Sequence, residues 1–267
     1  MSRFRIIIFF ALLTLFTLPM FAQDDEPAGD KTLPGENDTV IETSNPEDTD
    51  NDDDDDDESV SNTEDDDFAE MLEQGDVEIT VDDILLDIDF SDDDDWENYE
   101  EDTRFVEVDD GEYVAEVEGN SFIWGQNDEI FDDVVIQVTA RQDGGDDDNG
   151  FGVICRTDDD INTFDGYHFL IDGLGNAAIF RYEEGDGYIA LANWEEDNAI
   201  NIDDEPNILH IVCVDEYLAL YVNGELVVEA EDDEYDEGVV SLVIVNFDDD
   251  TFARAIFDDL IVYEADD

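Results

Sequence analysis

Residues 150–172, GFGVICRTDDDINTFDGYHFLID, admit two readings. Asp158, Asp160 and Asn162 alternate before a DG pair, as in a calcium loop. The flanks alternate apolar and polar residues, as in two strands joined by an acidic turn. A calcium loop of the EF type needs glycine at its sixth position and a bidentate glutamate at its twelfth. Counted from Asp158, those positions hold Thr163 and Phe169. Asp and Asn are turn formers between strands, so the segment reads as strand, turn, strand. Phe151, Val153 and Cys155 share one apolar face, with Arg156 opposite.

The same texture runs outward from this point. From about Val77 onward, aromatic and β-branched residues recur in short alternating runs separated by Gly, Asn and Asp. Examples are 84-ILLDIDF, 121-SFIWG, 133-DVVIQVTARQ, 177-AAIFRYE, 208-ILHIVCV and 253-ARAIFDDLIVYE. About fourteen such runs with no amphipathic helix between them predict an all-β antiparallel sandwich of two sheets or a barrel. In 217-YLALYVNGELVVEA, Asn223-Gly224 is the favoured two-residue hairpin turn, since both central residues need positive φ. In 133-DVVIQVTAR, Val134, Ile136, Val138 and Ala140 point one way. Leu209, Ile211 and Cys213 likewise share a face, so Cys155 and Cys213 both point inward from separate strands.

The N-terminus begins with Arg3 and Arg5, continues with an apolar run from Ile6 to Leu18, and reaches Pro19 and Ala22. That layout predicts a signal peptide over 1–22; the run is short for a span of ~20 residues. A secreted, extracytoplasmic protein with no stable membrane insertion is expected. Residues 23–76, which include 50-DNDDDDDDES, predict a disordered acidic linker, with a short helix conceivable around 66-DDFAEMLEQ. Residues 77–267 form the folded domain, expected to be a monomer. In that compartment the two cysteines favour a Cys155–Cys213 disulfide. Its 58-residue separation would contribute roughly 4 kcal/mol in the loop-entropy picture.

The formal net charge is −75, from 83 acidic and 8 basic residues. Such a surface repels phosphate backbones and excludes nucleic-acid partners. It also disfavours anionic membranes.

The strand order, with 149-NGFGVICR, the 217-YLALYVNGE hairpin and the closing 255-AIFDDLIV, resembles the concanavalin A-like lectin/glucanase superfamily. Within it, the likeness is to laminin-G-like and 3-keto-disaccharide-hydrolase-type domains, over roughly residues 85–264. The resemblance implies a jelly roll. This fold hosts lectins, adhesion modules and hydrolases alike. Its glycosidases carry a strand of alternating carboxylates, for which 84-ILLDIDF and 129-EIFDD are the nearest segments here. Neither holds both glutamates, and retaining hydrolysis wants carboxyls about 5–5.5 Å apart. No catalytic residue is therefore assigned.

Two sets of binding residues remain candidates. Arg141, Arg156 and Arg181 would line the concave sheet if their strands adjoin, with Tyr167, Tyr182, Tyr188, Trp124 or Trp194 stacking on a sugar ring. The alternative has the arginines in cross-strand ion pairs and the aromatics filling the sandwich. Calcium is the one cofactor candidate, as laminin-G-like relatives suggest, at Asp146, Asp147 and Asp148 with Asp158, Asp159 and Asp160, or at Asp248–Asp250. The expectation is a non-catalytic binding module for carbohydrate or another extracellular surface component. A carboxylate-pair glycoside hydrolase and an acidic structural or adhesive surface protein are the alternatives.

Overall fold

In the computed structural model, the described residues are 68–91 apart from 70, 96–157, 163–202 and 204–267. The expected leader, the linker up to residue 67, and Asp158, Asp159 and Asp160 lie outside them. The described residues belong to one compact unit, Glu58–Asp267, and contain fifteen strands, every pairing antiparallel. These are β1 (Thr80–Ile88), β2 (Tyr99–Glu101), β3 (Arg104–Asp109), β4 (Glu112–Glu118), β5 (Ser121–Gln126), β6 (Val134–Gly145), β7 (Gly150–Thr157) and β8 (Gly166–Asp172). They continue with β9 (Asn176–Glu183), β10 (Gly187–Glu196), β11 (Asn207–Val214), β12 (Tyr217–Val222), β13 (Glu225–Glu231), β14 (Val239–Asn246) and β15 (Phe252–Asp266).

The strands form two sheets. A nine-stranded sheet has the order β13-β12-β11-β6-β15-β4-β3-β2, with β1 added on β15. A six-stranded sheet has the order β10-β9-β8-β7-β14-β5. Alternation along the strands assigns three apolar layers. Val134, Ile136, Val138 and Ala140 of β6 meet Phe151, Val153 and Cys155 of β7 in the core between the sheets. Cys155 and Cys213 form a disulfide there, joining β7 to β11 with Cα atoms 6.8 Å apart. The Asn223-Gly224 turn has φ of 52° and 88°, the double positive φ that the hairpin requires.

The nine-stranded sheet carries its own cover. Residues 68–69 and 71–72 are helical, and Met71 and Leu72 are buried on the outer face against Val135, Val212, Tyr217 and Tyr221. Gln74 clamps this segment to the hairpin: its Nε2 donates to Gly224 O (2.8 Å), and its Oε1 accepts from Leu226 N (3.2 Å). The folded unit thus begins ahead of Val77. Phe68, Met71 and Leu72 are the apolar residues that a purely charge-based reading of the linker overlooks.

One irregularity positions a key side chain. Between Val239↔Thr157 and Ser241↔Ile154, β7 spends one residue more than β14. The bulge places Arg156 at φ 54°. Gly238 faces it so closely that a Cβ there would lie 2.7 Å from Arg156 Cα. The bulge reverses the direction that simple alternation gives Arg156.

Candidate functional site: an aromatic face on the six-stranded sheet

The third apolar layer lies on the outer face of the six-stranded sheet. Alternation in β5 puts Phe122 and Trp124 on that face; in β9 it puts Phe180 and Tyr182 there; β10 adds Tyr188 and Trp194. Their rings form an unbroken belt. Trp124 lies 5.9 Å from Phe122, and Phe122 stacks on Phe164 at 4.0 Å. Phe164 meets Tyr182 at 5.0 Å, and Tyr182 meets Tyr188 at 5.1 Å. Phe180 then links Tyr188 (5.4 Å) to Trp194 (5.9 Å), and Phe247 closes the belt 6.4 Å from Trp194. All but Phe164 are residues of intermediate burial.

Beneath the belt, His168 on β8 is fully buried. A carbonyl only accepts, so the 3.0 Å contact with Phe164 O fixes the proton on Nε2. Nδ1 is left to accept from Tyr188 Oη at 3.5 Å. Burial drives the imidazole down to about 3, so it is neutral. Burial likewise holds the Tyr188 phenol well above its ordinary value. For Tyr182 the upward causes are burial, then the charges of Asp165 and Glu184. The belt is thus apolar with a few neutral donors and acceptors.

The arginines are placed elsewhere. Arg141 lies on β6, in the nine-stranded sheet, so it does not adjoin Arg156 and Arg181. It pairs with Glu112 at 2.9 Å and Asp143 at 3.1 Å. Arg156, turned by the bulge, is buried between the sheets: Nη1 donates to Asp215 O and Tyr235 O, and Nη2 to Asp133 Oδ1. No ligand can reach its guanidinium, which corrects the expectation that it faces a binding surface. Arg181 pairs with Asp232 at 2.7 Å and Glu183 at 2.9 Å. Every arginine among the described residues is in an ion pair.

Tyr167 also leaves the candidate set. It shares the inner face of β8 with Phe169 and Ile171, is fully buried, and donates to Asp232 Oδ1 at 2.8 Å. Tyr182, Tyr188, Trp124 and Trp194 stay on the belt. Reading single stretches missed Phe122, Phe164, Phe180 and Phe247. The signal for Phe122 and Phe180 was present in the alternation of 121-SFIWG and 177-AAIFRYE; for Phe164 it was a lone aromatic in an acidic turn.

The segments compared with the glycosidase pattern lie apart from the belt. The first, 84-ILLDIDF, lies largely on β1 in the nine-stranded sheet. The second, 129-EIFDD, connects β5 to β6, and its Asp133 holds Arg156. Asp146 and Asp148 lie in the β6–β7 connection, and Asp248–Asp250 precede β15. Among the described residues, no group of three or more His, Cys, Asp or Glu side chains is placed to hold a metal ion. Among them, too, no helix is long and apolar enough to cross a membrane.

Comparison with solved structures shows the fold. The carbohydrate-binding module CBM66 from Bacillus subtilis aligns at 17% identity over 63% of this chain and 95% of its own, with a TM-score of 0.52. A Bacillus subtilis protein of unknown function with a galectin-like fold aligns at 15% identity over 70% and 98%, with a TM-score of 0.53. No curated protein gives a significant sequence match. The 3-keto-alpha-glucoside-1,2-lyase-like domain matches residues 88–245, more than half of the chain and most of the two sheets. The chain is a member of that family, within the concanavalin A-like jelly rolls.

Proposed function

We propose that this is a secreted, non-catalytic carbohydrate-binding module whose binding face is the outer side of the six-stranded sheet. The aromatic belt carries the reading. A run of half-buried rings offers flat apolar surface to the faces of sugar rings, at low conformational-entropy cost. A signal-peptide-like leader, an internal disulfide and a likeness in fold to a carbohydrate-binding module support the extracellular setting.

The charge narrows the ligand class. With a net charge of −75 and the described arginines already paired, uronates and sulfated glycans meet repulsion. Neutral oligosaccharides are the fitting class. Binding without turnover fits the belt chemistry, because its one histidine is buried under Phe164 and held neutral. Calorimetric titration of the mature chain with neutral gluco-, fructo- and galacto-oligosaccharides, with the mixtures chromatographed afterwards, tests both parts. Saturable heat with unchanged sugars is expected. Released sugar would overturn the non-catalytic reading, and no heat with any neutral sugar would overturn the binding reading.

A further inference from the structure

Phe164 differs from most of its neighbours on the belt. Six of the other rings come from strands; Phe164 comes from the segment just ahead of β8 and reaches back over the sheet. Its ring lies flat on Phe122, with centroids 4.0 Å apart and planes 10° apart. Trp124 (4.9 Å), Tyr182 (5.0 Å) and His168 (4.4 Å) surround it. The last two meet it edge-on, at 70° and 79°, as the walls of a slot meet a plate lying on its floor. Phe164 covers the face of Phe122 on which it stacks, and is itself 4% exposed.

The attachment is local. The His168 Nε2–H donates to Phe164 O at 3.0 Å, from a ring sealed into the sheet. Asp165 Oδ1 accepts from Glu184 N at 2.8 Å, which fixes the next residue to the β9–β10 turn. Phe164 is thus held as a flat six-membered ring in a slot framed by aromatic walls, on the face proposed to receive sugar rings.

Resting on that reading of the face, we infer that Phe164 is an intrachain occupant of the central stacking slot over Phe122, and that a saccharide ring enters by displacing it. Affinity is then set by competition between the Phe164 ring and the sugar. Trp194 and Phe247, at the far end of the belt, stay open and provide the first contact. Phe164 also limits which sugars bind: a ligand must present a flat apolar ring face good enough to replace a phenyl stack.

The test compares the mature wild type with Phe164→Ala and Phe164→Leu by calorimetric titration with the neutral oligosaccharide panel. Removing a stacked aromatic competitor should tighten binding of the same sugar by about tenfold or more in Phe164→Ala. A smaller gain is expected in Phe164→Leu, which keeps apolar volume but loses the flat face. Equal or weaker binding in both variants would overturn the inference and make Phe164 part of the platform. A second arm does not depend on sugar binding: phenol, followed by saturation-transfer NMR, should bind Phe164→Ala and not the wild type. If no sugar binds any form, the carbohydrate reading fails alone, and phenol uptake still supports the slot. Absence of phenol uptake in a folded, disulfide-intact Phe164→Ala would overturn it. If that variant does not fold, Phe164→Val, which also leaves much of the slot empty, replaces it in both arms with the same expected outcomes.

Discussion

Arg156 Nη2 and Asp133 Oδ1 lie 2.8 Å apart, with the arginine side chain 3% exposed, and this pair closes one end of the sandwich. The guanidinium also holds the carbonyls of Asp215 (2.8 Å) and Tyr235 (2.9 Å). Asp133 Oδ1 in turn accepts from Asp215 N at 2.7 Å. A single buried cation therefore gathers the β5–β6, β11–β12 and β13–β14 connections. Removing the guanidinium leaves partly buried acceptors without their donor and costs about 1–3 kcal/mol, since Asp133 is 27% exposed and keeps its bond from Asp215 N. Arg156→Met should lose that much in urea unfolding. Arg156→Lys should recover little, since an ammonium cannot span a planar fork of acceptors. Near-wild-type stability of Arg156→Met would contradict this role.

The disulfide joins the sheets rather than two neighbouring strands, so its loss frees one sheet from the other. Cys155→Ala with Cys213→Ala should cost about 2–5 kcal/mol. For a domain of this size that lowers Tm by roughly 2–4 °C per kcal/mol. A free-thiol assay on denatured, unreduced protein should find none. Two titratable thiols would contradict the bridge.

His168 makes the stability depend on acid. Its pKa is about 3 in the folded chain and near 6.5 unfolded, so between those values the unfolded chain binds more protons. The stability it contributes is complete above pH 6.5 and declines as pH falls toward 3. His210, held down to about 4 by burial, acts in the same direction. Many carboxylates titrate in this range too, so the check is a difference: wild type minus His168→Asn, by urea unfolding at several pH values. The difference should shrink from pH 7 to pH 4. A constant difference would contradict a buried neutral imidazole.

Self-repulsion from 83 acidic residues against 8 basic ones acts over about 30 Å at 0.01 M salt and about 8 Å at 0.15 M. Raising sodium or potassium chloride from 0.01 to 0.5 M should raise Tm by the same amount for both salts. A further rise at micromolar calcium over that background would instead mark a loop site among Asp146, Asp148, Asp158 and Asp160.

The sheets were legible because period-two patterning has one physical cause, burial of alternate side chains. The segment 166-GYHFLID is β8 residue for residue, and the Asn223-Gly224 turn takes the expected φ signs. The inward direction of Cys155 and Cys213 followed from the same rule. Arg156 escaped it because a bulge inserts one residue and reverses the side chains beyond, and nothing in GFGVICRT announces where a partner strand will slip. Arg141 was misgrouped because alternation gives a side chain's face, not its sheet: β6 and β7 are consecutive in sequence yet lie in opposite sheets. The belt was half legible. Tyr182 and Trp194 could be singled out one by one, but their meeting with Phe164 depends on strand order and on a turn whose composition is acidic.

The most direct test uses the three tryptophans. Trp124 and Trp194 lie on the belt, whereas Trp96 packs between the sheets against Phe90 and Tyr113. In a titration of nitrogen-15-labelled mature protein with a neutral oligosaccharide that binds calorimetrically, the indole N–H resonances of Trp124 and Trp194 should shift while that of Trp96 stays in place. Saturation with both belt indoles unmoved would contradict the assignment of the six-stranded sheet's outer face as the binding surface.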